Sequence, residues 1–493
     1  MAYNFPQGPR PRPLVGNTLD FRRDRLGFLS ALPQRYGNAA TLYLGRKPAF
    51  FFARPQAIRY FLVDNAANFT NREVIRSLRY LLGDVLVPID GFSPRKLIKT
   101  CCGCTNKDGM LATDGEAHHQ QRQVAQSAFN PQQLEKYSHV MVEYTERMMS
   151  AWRTGSRVDI SQEMLRLTLQ IVAKTLFDLQ LGQHTDQLLE CFKYLIRFST
   201  NPLFPWDRLP LNIRFLPFGK YLRSWQPVDQ LIRETIAIHR TSGEDTGSLL
   251  YRLSHVKKRD GGMMSYEEIR AQFFLMLDAG HNTTSNALTW TLYLLSEHPH
   301  VHTKLVSELR SVLDGQAPQI EDLGKLKYLE MVIKESLRLY PPIWGQARFA
   351  SNDFEIDGYK LPAGSFVVFS QWVTHRLPDI FSNPNSFWPE RFDAVSGEPH
   401  VPYSYFPFGG GYHSCIGSTY SMLEAKLVLA TILQRFHPVL VPGSVVVPKT
   451  RSITLQPAFG MPMILKPLVA TVSTYSSPDL FGNGKPKREV AVL

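Results

Sequence analysis

Cysteine is scarce in this chain, and repeats and low-complexity segments are missing. Five cysteines among 493 residues are too few for a disulfide-stabilised scaffold, which predicts a reducing compartment. No Gly/Ser-rich linker interrupts the chain, and no repeat indicates a solenoid. With 44% hydrophobic residues, the chain has enough apolar material for a large core. These features favour one large globular unit over a string of small domains.

Long hydrophobic runs are absent too. No apolar stretch is long enough to span a membrane, and the N-terminus lacks a signal peptide. The chain opens instead on a proline-rich segment, residues 5–13, followed by Gly16 and Asn17. We therefore expect a cytoplasmic location, unless a membrane anchor ahead of this segment has been removed.

Acidic residues are the minority among the charged ones. The chain has 55 Lys and Arg against 43 Asp and Glu, a net charge of +12. The basic residues are scattered and no nucleic-acid-binding motif accompanies them, which argues against binding to nucleic acid. A positive surface of this kind favours an acidic protein partner, because electrostatic attraction speeds the encounter.

Three of the cysteines cluster at Cys101, Cys102 and Cys104, with His118 and His119 further along the chain. These residue types can bind zinc, but a zinc site normally needs a second ligand pair at a recognisable spacing. That spacing is missing here. We interpret the cluster as a loop with spare thiols.

Cys415 has the most informative surroundings in the sequence. It lies in Phe406-Pro-Phe-Gly-Gly-Gly-Tyr-His-Ser-Cys-Ile-Gly417, and the apolar spacing that follows predicts a helix over residues 418–436. The glycines permit tight turns and close approach of the backbone to a large flat group. Backbone N–H groups ahead of a helix favour a thiolate. A thiolate in such a loop suits a haem iron as its fifth ligand.

Four residues of this loop carry a family resemblance. Phe408, Gly411, Cys415 and Gly417 occupy every fixed position of Phe-x-x-Gly-x-x-x-Cys-x-Gly, and the chain therefore resembles the cytochrome P-450 family. The resemblance implies haem b as cofactor, with Cys415 as the metal ligand and Phe408 and Gly417 among the cofactor contacts.

The resemblance extends from the proline-rich start to about Pro467. It implies a single catalytic domain over residues 1–467, followed by a polar, loosely ordered tail at 468–493. The implied fold is mostly α with a small β-rich subdomain near residues 41–52 and 354–369. Alternating polar and apolar residues at 354–361 independently favour a strand there.

A long helix is predicted over residues 269–296. Gly280 in its middle is costly for a helix, and the Thr283 hydroxyl can bond back to the Ala279 carbonyl and open the helix. By resemblance, Ala279, Gly280, Asn282 and Thr283 form the catalytic groove for dioxygen. Gly280 would leave room, and Thr283 would donate a hydrogen bond to dioxygen at the iron.

Asn282 departs from the family pattern, which usually has an acid at this position. An amide cannot shuttle a proton as a carboxylate can. Either Asp278, one turn earlier, or water alone would then carry the proton. The departure puts the efficiency of oxygen activation in doubt, but not haem binding.

Glu335 and Arg338 are three residues apart, so they share one face of a helix that Pro341 and Pro342 end. Arg391 follows in Pro389-Glu-Arg-Phe. By resemblance these three residues form a buried charge network beneath the haem loop. Because buried charges are tolerated only when paired, we expect a structural role for them.

Haem propionates need cationic or hydrogen-bonding partners. Four residues match the family's propionate-binding positions, with a histidine where tryptophan is common: His118, Arg122, Arg348 and His413.

The substrate pocket is placed by resemblance alone. Apolar and aromatic residues predict a cavity for a lipophilic substrate: Phe273, Phe274, Leu277, Ile343, Trp344 and Phe459. The segment 70–110 would contribute to this cavity. The aromatic and basic segment 198–220 would cover it as a lid with shallow membrane contact.

The function implied by the resemblance is that of a haem-thiolate monooxygenase. It would insert one oxygen atom from O₂ into a lipophilic compound by hydroxylation or epoxidation. No reductase domain fits on this chain, so electrons would come from a ferredoxin or an NADPH-dependent flavoprotein reductase, and we expect a monomer. Two alternatives stay open: a peroxide-driven or isomerising haem-thiolate enzyme, motivated by Asn282, and a non-catalytic haem sensor. The substrate class is left open among fatty acids, terpenoids, steroids and polyketides.

Overall fold

The structure is a computed structural model that describes residues 3–71, 115–200, 217–242, 245–257, 261–399, 401–451 and 453–468. Four predictions fall largely or wholly outside these residues. They concern the cysteine cluster at Cys101, Cys102 and Cys104, the segments 70–110 and 198–220, and the C-terminal tail.

Helices form most of the described structure. In chain order they are α1 Thr18–Arg23, α2 Arg25–Tyr36, α3 Pro55–Arg59, α4 Gly115–Gln126, α5 Pro131–Ser150, α6 Ile160–Phe177, α7 His184–Thr200, α8 Pro217–Ser242, α9 Leu249–His255, α10 Tyr266–Glu297, α11 Pro299–Leu313, α12 Lys327–Leu339, α13 Gln371–Thr374 and α14 Ser418–Leu433.

Short strands complete the fold. They are β1 Ala39–Leu44, β2 Lys47–Phe52, β3 Phe69–Thr70, β4 Arg157–Asp159, β5 Gln346–Ala350, β6 Phe354–Ile356, β7 Tyr359–Leu361, β8 Phe366–Phe369, β9 Phe436–Leu440, β10 Pro448–Arg451, β11 Thr454–Pro457 and β12 Pro462–Pro467.

The largest described sheet has the strand order β1-β2-β8-β5-β3. β1 and β2 form an antiparallel hairpin, and β8 joins β2 in parallel with Phe50 opposite Val367. β6 and β7 pair as a separate hairpin. The prediction of a mostly α fold with a small β-rich part is confirmed, and strands β9 to β12 add pairs that the sequence patterns did not reveal.

α10 is the central helix of the fold. It begins with a capping box, in which the Ser265 and Glu268 side chains each bond the other's backbone N–H. Its bounds lie close to the predicted 269–296. It packs against α6, and both helices contribute to the largest hydrophobic core. The helix that follows Cys415 ends at Leu433 rather than 436, because Phe436 begins β9 and pairs with Pro467.

Across the residues that the structure describes, every helix is too short or too polar to cross a bilayer.

Candidate active site

The loop that carries Cys415 is held by its own backbone. The Cys415 N–H donates to the Phe408 carbonyl at 2.8 Å, and the Gly409 N–H donates to the Phe406 carbonyl at 3.0 Å. Gly409 and Gly411 have φ values of +71° and +61°, which favour glycine. These turns place Cys415 three residues before the first turn of α14.

Gly411 is required by packing as well as by its backbone angle. A Cβ at this position would lie 1.7 Å from the Leu62 carbonyl oxygen. Gly417 differs, because its φ is −90° and a Cβ there would meet no protein atom within 4 Å. The described protein leaves room for a side chain at 417. A glycine would be required there only if a further group, outside the protein, lies against this position.

The Cys415 thiol is accessible although protein encloses most of it. Burial raises the pKa of this thiol, while the Gly417 backbone N–H and the Arg122 charge lower it. The Gly417 N–H acts in the direction expected from the sequence, but burial has the larger effect. In this environment a thiolate needs a further positive partner, and a metal ion is the usual one.

A buried charge network lies beside this loop, and we call it the Glu335 network. Glu335 accepts from both Arg338 (2.7 and 2.8 Å) and Arg391 (2.9 Å), and from the Trp388 backbone N–H at 2.9 Å. Arg391 also reaches Glu398 at 2.5 Å. Glu335 and Arg338 have no exposed surface. The three residues singled out by sequence thus lie in one network, with Glu398 as an additional partner.

His375 connects the Glu335 network to the Cys415 loop. Its carbonyl accepts from Arg338 Nη1 at 2.8 Å, and its Nε2 accepts from the Phe406 N–H at 3.0 Å. Burial, followed by the charges of Arg338 and Arg376, lowers the pKa of His375 well below its usual value. The neutral ring can therefore accept the loop N–H. Sequence reasoning missed this residue, because a single histidine carries no spacing signal.

On α10, the accessible residues follow helical spacing. Most of the helix near Thr283 is buried, but five residues at spacings of three and four keep accessible surface. We call them the accessible stripe: Leu275, Asp278, Ala279, Asn282 and Thr283. The next residue, Thr284, lies 3.2 Å from Ser421 on α14, so the stripe approaches the segment that follows Cys415.

Gly280 lies beside the accessible stripe, but a side chain at this position would point toward α6. A Cβ at this position would lie 2.9 Å from Val172 Cγ2 on α6. Nearby, the Thr168 hydroxyl of α6 donates to the His281 carbonyl at 2.9 Å. The small size of Gly280 therefore allows α10 and α6 to pack closely. The prediction that Gly280 leaves room for dioxygen stays a prediction.

The polar residues of the stripe bond back into the helix. The Thr283 hydroxyl donates to the Ala279 carbonyl at 2.7 Å, as expected from the sequence. The Asn282 side-chain oxygen accepts from Asn286 Nδ2 at 3.0 Å. Asn282 is thus held by a second amide, and neither of these groups carries an exchangeable acid proton.

Three ionisable groups around α10 have strongly shifted pKa values. Asp278 is accessible yet surrounded by protein, and this burial raises its pKa to about 6. Burial lowers the pKa of His281 to about 4, although its Nδ1 contacts the Leu277 carbonyl. Burial also raises the pKa of Glu424 on α14 well above its usual value.

Glu424 is fully buried, and neither of its carboxyl oxygens has a partner of normal hydrogen-bond geometry. The nearby Thr284 hydroxyl only partly offsets the effect of burial on its pKa. Burial therefore favours the protonated, neutral form of this carboxyl. Sequence reasoning missed Glu424, because its position among the leucines of α14 resembles an ordinary solvent-facing residue.

Of the four residues predicted to contact propionates, His118 and Arg122 contact the Cys415 loop and His413 belongs to it. His118 on α4 lies with its ring centroid 4.4 Å from that of His413. Arg122 on the same helix donates to the Ser414 carbonyl at 2.7 Å and to its hydroxyl at 3.2 Å. Arg348 on β5 is buried and donates to the Ala347 carbonyl at 2.8 Å.

The pocket role of the residues predicted on α10 stays a prediction. Phe273, Phe274 and Leu277 are buried. Phe273 packs on Phe177, with ring centroids 4.5 Å apart.

The remaining predicted pocket residues also differ from one another. Trp344 is buried in the core beside Phe21, with ring centroids 6.4 Å apart. Ile343 is half-buried and forms an isolated bridge with Thr454. Phe459 is 74% exposed in the turn between β11 and β12.

The residues present fit a haem group. The accessible Cys415 thiol is one suitable iron ligand, and the backbone at Gly417 leaves a side-chain volume unfilled by protein. Cationic and imidazole groups from α4, β5 and the loop itself stand around this position and suit the two propionates. The accessible stripe of α10 supplies a second wall.

The chain is similar to one protein family over nearly its whole length. The cytochrome P450 family profile matches residues 6–462. Cyclooctatin synthase from Streptomyces melanosporofaciens is 32% identical over 91% of this chain and 93% of its own length. Cyclooctat-9-en-7-ol 5-monooxygenase from the same organism is 31% identical over 88% of this chain and 90% of its own length.

More distant proteins share the same architecture. Pentalenene oxygenase from Streptomyces avermitilis is 27% identical over 92% of this chain and 96% of its own length. The solved structure of retinoic acid-bound cyanobacterial CYP120A1 superposes with a TM-score of 0.78 at 24% identity. The match covers 95% of this chain and all of that chain, and at this identity it shows the fold alone.

Proposed function

Because the chain belongs to the cytochrome P450 family and is a haem-thiolate monooxygenase, we propose that Cys415 is the thiolate ligand of its haem. The observation that carries this proposal is the accessible thiol of Cys415 in a glycine loop that protein otherwise encloses. Cys191, the other cysteine in the described residues, is fully buried in α7 and cannot take this role.

The haem is proposed to be haem b, held without covalent bonds. Covalent attachment of a c-type haem uses Cys-x-x-Cys-His, and Cys104 is followed by Thr105 instead. His118, Arg122, Arg348 and His413 would hold the propionates, and residues 1–467 would form one catalytic domain. Phe408 and Gly417 would lie against the ring.

Bound haem supplies the redox chemistry by which O₂, two electrons and two protons convert a C–H bond into C–OH and water, or a C=C bond into an epoxide and water. The protein's share is placement and proton supply. The Thr283 hydroxyl holds its proton at the Ala279 carbonyl, and rotation about χ1 would turn it toward the accessible face. Asn282 positions the stripe through Asn286 and would order water there.

The substrate is proposed to be a terpenoid. Relatives that cover nearly the whole chain are named for a cyclooctatane alcohol and for pentalenene. Electrons would come from a separate acidic ferredoxin or a flavoprotein reductase drawn to the net charge of +12. The working form is proposed to be a cytoplasmic monomer.

The test is the absorbance of the dithionite-reduced, CO-bound protein. Wild type should show the strongly red-shifted Soret band of thiolate-ligated haem, and Cys415→Ala should lose it. Cys191→Ala is the matched control and should keep it. A red-shifted band that survives in Cys415→Ala would overturn the assignment of this ligand.

A second function, peroxide-driven or isomerising turnover, is favoured by one observation only. Asn282, where an acid is usual, is bonded to Asn286 and carries no acidic proton. Turnover with hydrogen peroxide that gains nothing from a ferredoxin and its reductase would favour this function. Product containing oxygen from ¹⁸O₂, formed only with the redox partner, would exclude it.

A further inference from the structure

Asp278 is a carboxyl group on the wall of the proposed substrate space, and the proton relay considered for it from the sequence leaves open what it does for the substrate. It belongs to the accessible stripe of α10, one turn before Asn282 and adjacent to Ala279. The neighbouring residues Leu277 and Phe274 are buried. Asp278 and Asn282 are four residues apart and share one side of α10, so the Asp278 side chain lies along the accessible stripe, one turn nearer the helix N-terminus than Asn282.

Within the described residues, Asp278 has no compensating partner. Burial is the single cause of the shift that raises its pKa to about 6, and no hydrogen bond or cation opposes it. This contrasts with Asp229, which Tyr266 and Arg270 contact at 2.7 and 2.8 Å. A carboxyl group that protein encloses without pairing is costly unless something else donates to it.

We propose that Asp278 is a specificity-determining residue that accepts a hydrogen bond from a hydroxyl group of a lipophilic alcohol. This inference rests on the proposed function, because it concerns the substrate of the same site. An uncharged hydroxyl fits better than an ammonium group, since a cation would lose its own hydration on entering an enclosed space. A carboxylate acceptor also selects against an apolar analogue, whose binding would leave it unpaired.

The position of Asp278 adds an orientation to this preference. The hydroxyl would lie near Asp278, which precedes Thr283 by five residues, or about 7.5 Å along the axis of α10. The carbon that reacts would then differ from the carbon that bears the hydroxyl. The site would therefore take a compound that already has one oxygen and add a second elsewhere on the skeleton.

The test uses two sesquiterpenoids that differ only in the donor, cedrol and cedryl methyl ether. Equilibrium dialysis against the haem-loaded protein gives a dissociation constant for each. Wild type should bind cedrol about tenfold more tightly than the ether, as expected for one hydrogen bond to a charged acceptor. Asp278→Leu should bring the ratio close to one.

Two further variants keep the result interpretable. Asp278→Asn preserves shape and a carbonyl acceptor, so it should give an intermediate ratio even if Asp278→Leu folds poorly. Asp186→Leu, at an exposed position on α7, should leave the wild-type ratio unchanged. A wild-type ratio near one, or an unchanged ratio in Asp278→Leu, would overturn the proposal.

Failure of this inference is distinguishable from failure of the proposed function. The CO-bound spectrum reports thiolate ligation independently of which alcohol binds. A normal red-shifted band together with a ratio near one would remove Asp278 as a hydroxyl acceptor and leave the haem assignment standing.

Discussion

The ionisable groups of the Glu335 network and those around α10 are paired differently. Glu335 is bonded by two arginines and a backbone N–H. Asp278 and Glu424 have shifted pKa values whose main cause is burial, and no cation opposes either shift. Both regions lie next to the Cys415 loop or the helix that follows it.

The difference separates two uses of buried charge. A fully paired network fixes geometry, because removing one partner leaves an uncompensated charge. Unpaired ionisable groups are tolerated mainly where they become neutral or face a ligand. We infer that the Glu335 network supports the haem loop, while Asp278 and Glu424 are available to interact with substrate and protons.

The largest effect is expected from Glu335→Gln. This isosteric change leaves Arg338 buried without its anion and Arg391 with Glu398 as its remaining anion, at a cost of about 3–5 kcal/mol. Urea unfolding should show the loss. Glu143→Gln, which breaks an exposed pair with Arg147, should cost less than about 1 kcal/mol. Equal costs for the two variants would contradict the distinction between paired burial and surface pairing.

Removing the connection at His375 should have the next largest effect. His375→Ala leaves the buried Phe406 N–H without an acceptor, which costs about 1–3 kcal/mol in addition to any cavity. Retention of haem during gel filtration should fall as well, because the loop loses the hydrogen bond to the His375 ring that connects it to Arg338. His375→Gln, whose side-chain oxygen can accept, should recover part of both losses. The control His139→Ala, at an exposed position on α5, should match wild type.

Acid should destabilise the folded protein because His281 is buried in its neutral form. Its pKa is about 4 in the folded protein and about 6.5 when unfolded. The unfolded state therefore binds a proton first, and stability is lost as pH falls from about 6.5 toward 4. At pH 5 the difference of 1.5 units corresponds to roughly 2 kcal/mol. His281→Phe, beside Phe192, should lose this acid sensitivity, which urea unfolding at pH 5 and pH 7 can measure.

Gly280→Ala tests a packing role with a smaller effect. The added Cβ meets Val172, which costs about 1 kcal/mol or more, offset in part by the better helix propensity of alanine. The double variant Gly280→Ala/Val172→Ala should recover stability by thermal unfolding. If Gly280→Ala alone were as stable as wild type but could no longer bind CO, its role would lie on the oxygen side instead.

Sequence patterns predicted the local features well. The Cys415 loop and the Glu335–Arg338 spacing are encoded within a dozen residues each, and the Thr283–Ala279 hydrogen bond within one helical turn. The extent of α10 was also close, since its capping residues lie just outside the predicted range. These features depend on neighbours in the chain, which is why a single sequence reveals them.

Features that depend on packing between distant segments were not predicted. The contact of Gly280 with Val172 joins two helices more than a hundred residues apart, and His375 joins the loop to α12 only in the folded protein. The burial of Phe273 follows from the rotation of α10, which its hydrophobic residues on several faces leave undetermined.

The most direct test of the account is the fraction of purified protein that shows the red-shifted CO-bound band in Glu335→Gln and in Asp278→Asn. The account predicts that Glu335→Gln largely loses this band, because the loop under the haem loses its support. It predicts that Asp278→Asn keeps the band at the wild-type level, because its carboxyl serves the substrate. Equal retention in both variants, or loss in Asp278→Asn alone, would contradict it.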